Sequence, residues 1–522
     1  MRKLFFLFIP LFWSCAVAQK QDAQKKYADI ITEELTYGHM ERLATEEMEG
    51  RGTGQDGIFK AAEYIAAEFE KEGLLAPVQG SYFQDVEFVS LGMAAENIRV
   101  GNTSYELGKD FYVQTQNPFT SFTAEEVIFI GYGIQEDKYN DLADLNIEGK
   151  VVLLVNEGEP TDKKGNSLIG GTKDPSEWGR SRFKKLQETL KLKPKLILSY
   201  DSRNAEMLSE NRSEFQRSQI KLDDGNTLVK ETQYAPILHI SKEMANRVLA
   251  SANTDIDRIL KEINDSAAPK SQVVNSSFSG ELGVKEEKFK NPNVLGLLEG
   301  TEKKDEVLVL TAHYDHDGIV GGKIFFGADD NASGTTGLMS IAKAFAAAKK
   351  EGNGPKRSIL FIAFTGEEKG LLGSKYYVEH PIIPLENTIV NLNMDMIGRI
   401  DDLHLGKNEN YIHTIGANRS SKELFEINEA ANEKYTQMEI DYIYDKDEEP
   451  MQLFKRSDQY SFYQKDIPII FYFSGLHPHY HTPEDTIDKI DFPMLVKRSK
   501  LIFHTTWEVA NREQRLQNDL KK

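Results

Sequence analysis

Residues 307–334 read VLVLTAHYDHDGIVGGKIFFGADDNASG, an apolar run that leads into a polar loop containing several glycines. The run at 307–311 is typical of a strand that is buried on both faces. The alanine-rich stretch 334–350 that follows contains no proline and predicts a helix. Three more apolar runs of strand length follow it, at 358–364, 389–394 and 467–473. This alternation predicts an α/β fold with a mostly parallel central sheet flanked by helices.

Residues able to bind a metal or move a proton follow these apolar runs. They are His313 and Asp315, Asp329 and Asp330, Glu367 and Glu368, Asp395, and His481. In sheets of this class ligands bind beyond the carboxyl ends of the strands, so we expect these side chains to converge. Clustered carboxylates repel one another unless a cation offsets their charge. Two histidines with several carboxylates and no cysteine suit Zn²⁺ or a similar divalent ion, and their number suits two metals bridged by a carboxylate.

Each of these features has a plainer explanation when it is taken singly. A histidine at a strand end is often a satisfied structural residue, and an adjacent glutamate pair is usually a solvated surface. An Asp-Asp-Asn sequence before a helix is most often an N-cap. Their occurrence together, in order and at successive strand ends, favours a metal site.

Five short motifs carry a resemblance to a known family. They are AHYDH at 312–316, GADDNASG at 327–334, GEE at 366–368, NMDMIGR at 393–399 and YHTP at 480–483. Together they resemble the zinc exopeptidases of metallopeptidase family 28, typified by bacterial leucyl-type aminopeptidases. The resemblance runs from Asn291 to about Lys500, and RGTG at 51–54 resembles the N-terminal portion of the same family. The expected fold is therefore that of a zinc exopeptidase.

The resemblance implies a role for each matching residue and a cofactor of two Zn²⁺ ions, with other divalent ions as alternatives. The metal ligands would be His313 and Asp395 for one ion, Glu368 and His481 for the other, and Asp330 as the bridge. Glu367 would be the general base that takes a proton from the water bridging the metals and later donates it to the leaving amine. Asp315 would hold the ring of His313 through its second nitrogen. Tyr480 would place its phenol against the tetrahedral intermediate or, alternatively, serve only in packing.

Another histidine of the first motif, His316, could pass for a ligand. The motif match favours His313 in that role, so we expect His316 to support a ligand or to line the pocket.

The resemblance also divides the chain into parts. Residues 19–115 would form the N-terminal part of the peptidase domain, and residues 271–522 its main part. Residues 116–270 resemble an inserted, β-rich protease-associated domain, mainly through FIGYGI at 129–134 and GKVV at 149–152.

The first 18 residues resemble a secretory signal. Arg2 and Lys3 precede an apolar run from 4 to 18 that ends in AVA. The run contains Pro10 and is too short to span a membrane comfortably, so no transmembrane span is expected after its removal. The alternative is lipoprotein processing, in which Cys15 carries a lipid anchor. Both interpretations predict export to the periplasm or the extracellular space.

Composition excludes several other classes of protein. The 522 residues carry a formal net charge of −19, from 63 Lys and Arg against 82 Asp and Glu, which argues against a nucleic-acid partner. The single cysteine excludes an intramolecular disulfide framework and a thiolate metal cluster. The sequence also lacks the Gly-x-Ser-x-Gly motif of serine hydrolases and the His-Glu-x-x-His motif of other zinc peptidases.

These observations predict an exported dinuclear zinc aminopeptidase that removes N-terminal residues from peptides. A hydroxide bridging the metals and a glutamate general base would cleave the bond, and the expected partners are peptides with a free N-terminus. Relatives of the same family provide two alternatives, a carboxypeptidase and a glutaminyl cyclase that uses a single zinc. A non-catalytic, receptor-like protein is a third alternative, although every ligand position here holds a residue able to bind metal.

Overall fold

The computed structural model of the protein describes residues 23–210, 215, 218–226 and 229–519. The predicted signal at 1–18, with Cys15, lies outside the described residues. Within those residues, no helix combines the length and the apolar character needed to cross a membrane.

The chain forms two compact units. One contains the residues up to Val86 together with those from Lys290 onward, and the other is Glu87–Phe289. The segment 116–270, predicted as an insert, lies inside the second unit.

A set of neighbouring strands forms the centre of the first unit. In chain order the strands are β1 (Phe278–Leu298, of which the part from Lys290 belongs here), β2 (Lys303–His313), β3 (Arg357–Phe364), β4 (Thr388–Met394), β5 (Tyr411–Ile415), β6 (Glu439–Asp441) and β7 (Ile469–Phe473). They lie in the order β1-β3-β2-β4-β7-β5-β6. Strands β3, β2, β4 and β7 are mutually parallel, whereas β1 and β5 pair antiparallel with their inner neighbours. The predicted mostly parallel sheet is confirmed.

Helices cover this sheet. They are α1 (Ala23–Ala28), α2 (Glu33–Leu43), α3 (Asp56–Lys71), α4 (Gly334–Lys350), α5 (Leu372–Glu379), α6 (Ala417–Ser420), α7 (Lys422–Ala431), α8 (Gln459–Tyr463) and α9 (Phe492–Asn511). Helix α4 has the bounds predicted from its alanine-rich sequence, and it packs against β2 and α9. A short hairpin, Gly318–Val320 with Lys323–Phe325, lies in the loop between β2 and α4.

Burial on both faces explains the apolar run 359–364 of β3. Every residue of β3 is buried. Ile359 and Phe361 belong to the core cluster on one face of the sheet, and Leu360 and Ile362 belong to a separate cluster on the other. Because successive strand residues point to opposite faces, each apolar residue of this run packs into one core or the other. The neighbouring strand β4 carries two buried polar residues, Asn391 and Asn393.

The second unit contains a sheet and helices of its own. Its six-stranded sheet has the order Gln272–Val274, Val127–Phe129, Val151–Val155, Leu196–Tyr200, Ile237–Ile240 and Phe111–Gln114. Further strands are Phe83–Val100 from residue 87, Thr103–Ser104, Thr120–Ala124, Gln135–Glu136, Tyr139–Asn140, Gln219–Leu222 and Phe278–Leu298 up to residue 289. Its helices are Glu177–Arg180, Arg182–Lys191, Asn204–Glu210, Lys242–Leu249 and Ile256–Ser266.

Candidate metal centre

The carboxyl ends of the four parallel strands bring the sequence-predicted ligands together. His313 is the last residue of β2, and Asp330 lies in the loop just before α4. Glu367 and Glu368 follow β3, Asp395 follows β4, and His481 lies beyond β7. The side chains of all but His481 are at most 11% exposed. The sheet topology therefore accounts for their convergence, since parallel strands end at the same edge.

One group of ligand atoms surrounds the Nε2 atom of His313. This nitrogen lies 3.2 Å from Asp395 Oδ1, 3.4 Å from Asp330 Oδ1 and 3.9 Å from Glu367 Oε2. His313 and Asp395 thus face one another across a space that Asp330 also reaches.

A second group surrounds the Nε2 atom of His481. This nitrogen lies 3.1 Å from Asp330 Oδ2 and 3.2 Å from Glu368 Oε2, without hydrogen-bond geometry to either. Asp330 therefore directs Oδ1 towards the first group and Oδ2 towards the second. A carboxylate in this position has the arrangement of a bridge between two ions.

The electrostatics of these groups favour a bound cation. Burial and then the Glu368 carboxylate raise the pKa of Asp330 to about 6. Burial raises the pKa of Glu367 well above its ordinary value, although His313 opposes this effect. Burial lowers the pKa of His481, but its contacts with Asp330 and Glu368 prevail and raise it to about 11. Histidine and carboxylate donors held this close, with carboxylates destabilised by their neighbours, fit divalent metal ions.

Asp315 contacts the His313 ring through its main chain. His313 Nδ1 lies 3.1 Å from the Asp315 carbonyl oxygen, and 3.7 Å from the nearer carboxylate oxygen. The carboxylate is engaged elsewhere, because Thr53 Oγ1 donates to it at 2.9 Å and the Glu367 amide donates to it at 3.1 Å. The Asp315 carbonyl, rather than its carboxylate, is therefore the hydrogen-bond partner of the second ring nitrogen of His313.

His316 contacts the Glu368 carboxylate. Its Nδ1 lies 2.9 Å from Glu368 Oε1 and 3.7 Å from Asp330 Oδ2. Together with His481 it lowers the pKa of Glu368 well below the ordinary value, although burial acts in the opposite direction. The carboxylate of Asp317 lies beside the other ligand histidine, with its Oδ2 3.4 Å from His481 Nδ1. The sequence pattern did not single out Asp317.

A supporting residue that the sequence did not reveal is Ser457. Its hydroxyl donates to Asp395 Oδ2 at 2.7 Å and accepts a hydrogen bond from Asn393 Nδ2 at 2.8 Å. Asn393 Nδ2 also donates a hydrogen bond to Gln459 Oε1. This chain fixes the orientation of the Asp395 carboxylate, leaving Oδ1 to face His313.

Replacement of Ser457 by alanine is expected to weaken metal binding about 10–100-fold, because partners of this kind orient a ligand. Competition with a zinc chelator measures the affinity. Ser340→Ala is the matched control, since the buried Ser340 hydroxyl donates only within α4, to Thr336 O. Equal zinc affinities for the two variants would show that Ser457 does not position Asp395.

Arg51 of the RGTG motif forms hydrogen bonds to the backbone of the loops that carry the ligands. It is fully buried. Its guanidinium donates to the backbone carbonyls of Tyr314, Leu43, Phe326 and Gly327, at 2.7, 2.7, 2.9 and 2.8 Å. Burial lowers the pKa of Arg51 to about 10, while the carboxylates of the centre act in the opposite direction. One side chain thus joins the end of β2 to the loop before Asp330.

Replacement of Arg51 by lysine is expected to lower the free energy of unfolding by about 3 kcal/mol, since an ammonium cannot reach all four carbonyls. Urea denaturation measures the change. Arg42→Lys provides the control, because that side chain is half exposed and pairs with Glu47 at 3.7 Å. If the two variants are equally stable, the carbonyl contacts of Arg51 contribute little.

A pocket opens beside the ligand groups. Its lining combines the carboxylates of the centre with Met396, Leu453, Arg456, Phe471, Phe473, Leu476 and Tyr480. Tyr480 therefore lies at the pocket, where its phenol accepts a hydrogen bond from Arg456 Nη2 at 3.2 Å. Burial raises the pKa of this phenol, so Tyr480 stays neutral and able to donate.

Comparison with known proteins identifies the segment that builds this centre. Residues 293–506 match the model of peptidase family M28. This segment is a peptidase family M28 domain. The family predicted from the motifs is thus confirmed, and the M28 domain contains every ligand described above.

Relatives of the M28 domain include proteins named for two exopeptidase activities. Aminopeptidase YwaD of Bacillus subtilis (strain 168) is 29% identical over 233 residues, which are 43% of this chain and 46% of that protein. A probable glutamate carboxypeptidase of Arabidopsis thaliana is 33% identical over 128 residues, 24% of this chain and 17% of that one. The chain thus spans less than half the length of these two relatives. A solved aminopeptidase from Aneurinibacillus sp. strain AM-1 aligns over 95% of this chain and 98% of its own, at 19% identity and a TM-score of 0.49.

Proposed function

We propose that the protein is an exported zinc aminopeptidase that uses two metal ions to remove N-terminal residues from peptides. The position of Asp330 carries the proposal, because its two oxygens face two separate groups of ligand atoms. The M28 match and the aminopeptidase relative support the same activity.

The ligand groups suggest how the ions would be held. His313 and Asp395 would bind one ion and Glu368 and His481 the other, with Asp330 shared between them. Bound there, two divalent ions would polarise the peptide carbonyl and make a water nucleophilic at neutral pH. The fixed side chains around them would hold this arrangement without reorganisation during the reaction.

Glu367 is placed to move the proton. It belongs to the group around His313, lines the pocket and comes within 3.9 Å of His313 Nε2. Its carboxylate would accept the proton of the attacking water and pass it to the nitrogen of the breaking C–N bond.

The pocket suggests which end of the substrate enters. Four carboxylates of the centre line the pocket, and an oxygen not bound to the ions could pair with an N-terminal ammonium. Leu453, Phe471 and Phe473 offer an apolar wall to the adjacent side chain. Tyr480, neutral and beside the centre, would donate to the oxygen that becomes negative during attack.

A carboxypeptidase is the second candidate because of Arg456. This cation lines the pocket and could pair with a substrate C-terminal carboxylate. One of the named relatives is a probable glutamate carboxypeptidase.

A pair of peptides of the same sequence, one free and one acetylated at the N-terminus, separates the two candidates. Mass spectrometry over time is expected to show stepwise loss of N-terminal residues from the free peptide and no change in the acetylated one. Loss of C-terminal residues from both peptides would replace the aminopeptidase proposal by the carboxypeptidase. The N-terminal mass of protein recovered from the medium or the periplasm would test removal of residues 1–18.

A further inference from the structure

A second cluster of histidines and carboxylates lies in the M28 domain apart from the centre described above. It consists of Asp401 and His404, in the loop after β4, His413 on β5 and Asp441 on β6. His413 and Asp441 are direct partners in the parallel β5–β6 pair. Asp401, His404 and His413 are buried, whereas Asp441 is partly exposed. The sequence pattern gave these residues no role.

Asp401 holds both imidazole rings. Its Oδ1 lies 2.8 Å from His404 Nδ1, and its Oδ2 lies 2.8 Å from His413 Nε2. At these distances the carboxylate accepts a hydrogen bond from each ring, so His404 Nδ1 and His413 Nε2 carry the protons.

The other nitrogen of each ring faces Asp441. His404 Nε2 lies 3.6 Å, and His413 Nδ1 lies 3.7 Å, from the same oxygen, Asp441 Oδ2. His413 is fully buried, and its Nδ1 has no hydrogen-bond partner among the described residues. In neutral imidazoles these nitrogens hold lone pairs. Asp441 Oδ2 therefore lies within 3.7 Å of a second nitrogen of each ring.

We propose that this cluster binds a divalent transition-metal ion of the Zn²⁺ type through His404, His413 and Asp441. The carboxylate of Asp401 would orient both rings, as carboxylates commonly do for metal-binding histidines. Ligand atoms about 2.0–2.1 Å from a tetrahedral zinc lie roughly 3.3–3.4 Å apart, slightly less than the two distances to Asp441 Oδ2. Two histidines, one carboxylate and one open position suit zinc in particular.

The ion would have a structural effect. It would tie the loop after β4 to strands β5 and β6, which the Asp401 hydrogen bonds already bring together. The side chain of Asp441 is 23% exposed, so this carboxylate offers the ion an access route from solvent. His404 also stacks on Tyr411, with ring centroids 3.5 Å apart, so little motion would be needed on binding.

The competing account is an ion-pair network without a metal. In that account the imidazoles are protonated and share two carboxylates, and the cluster has no affinity for zinc. The two accounts differ in zinc stoichiometry, a property that does not depend on peptidase activity.

Equilibrium dialysis of chelator-treated full-length protein against Zn²⁺ tests the proposal. Wild-type protein is expected to bind one equivalent more than Asp441→Asn, which removes a ligand charge without changing its size. Asp402→Asn is the matched control, since Asp402 is exposed on the same loop, and it is expected to bind as wild type does. Failure of the M28 centre to bind zinc would lower the count equally in all three proteins, so the difference reports only on the cluster.

A second variant tests whether Asp441→Asn lowers the zinc count only indirectly. His404→Gln is expected to lose the same single equivalent, while its circular dichroism stays that of wild type. Zinc is also expected to raise the thermal midpoint of Asp402→Asn by more than that of Asp441→Asn, because a ligand stabilises the state that binds it. Equal zinc counts in wild type, Asp441→Asn and His404→Gln would overturn the proposal.

Discussion

Replacement of Glu367 by glutamine is expected to lower kcat by about 10²–10⁴-fold, the usual contribution of a general base. Glutamine has nearly the same size but cannot accept the proton of the attacking water. The metal content is expected to stay unchanged, because the ligand atoms closest to His313 and His481 belong to other residues. Steady-state kinetics and zinc analysis on the same sample measure both quantities.

Glu379→Gln is the matched control for this variant. Glu379 is exposed at the end of α5, in the same stretch of chain, and its replacement is expected to leave kcat unchanged. Near wild-type kcat in the Glu367 variant would remove this residue from proton transfer. Loss of zinc together with activity would instead make Glu367 a metal ligand.

Replacement of Asp330 by asparagine is expected to lower both the zinc content and the activity. An amide can offer one oxygen but not two, so at least one group of ligand atoms loses its shared member. We expect one or both zinc equivalents of the centre to be lost and kcat/KM to fall by about 10³-fold or more, since the two metals act together. Metal analysis after dialysis, followed by kinetics, measures the effect.

The neighbouring Asp329 provides a close control. It is equally buried, but its Oδ1 accepts from the Gly398 amide at 2.7 Å and its Oδ2 lies 3.3 Å from His477 Nε2. Asp329→Asn is therefore expected to keep its zinc, although it can lose stability. If both variants retained zinc equally, Asp330 would not bridge two ions.

The central sheet could be predicted because a strand buried on both faces appears in the sequence as a run of apolar residues. The run 359–364 of β3 is apolar at every position because its two faces pack against separate cores. The prediction of the metal centre had the same physical basis. Residues such as Glu368 and Asp395 directly follow these apolar runs. Because parallel strands end at the same edge of a sheet, the strand order predicts that these side chains lie close together.

The residues that support the centre could not be predicted in this way. Ser457 reaches Asp395 across 62 positions of the chain, and Arg51 reaches Tyr314 across 263. Contacts between such distant segments depend on how loops pack, and loops carry no periodic pattern. The cluster of His404 and His413 could not be predicted for the same reason, because its members come from a loop and the last two strands of the sheet.

Anomalous diffraction from zinc-loaded crystals tests the central claim most directly, because it locates each ion among its ligands. Data collected on both sides of the zinc absorption edge are expected to show two peaks flanking Asp330. One peak should lie beside His313 and Asp395, and the other beside Glu368 and His481. A single peak, or no peak, next to Asp330 in fully loaded crystals would contradict the two-metal centre.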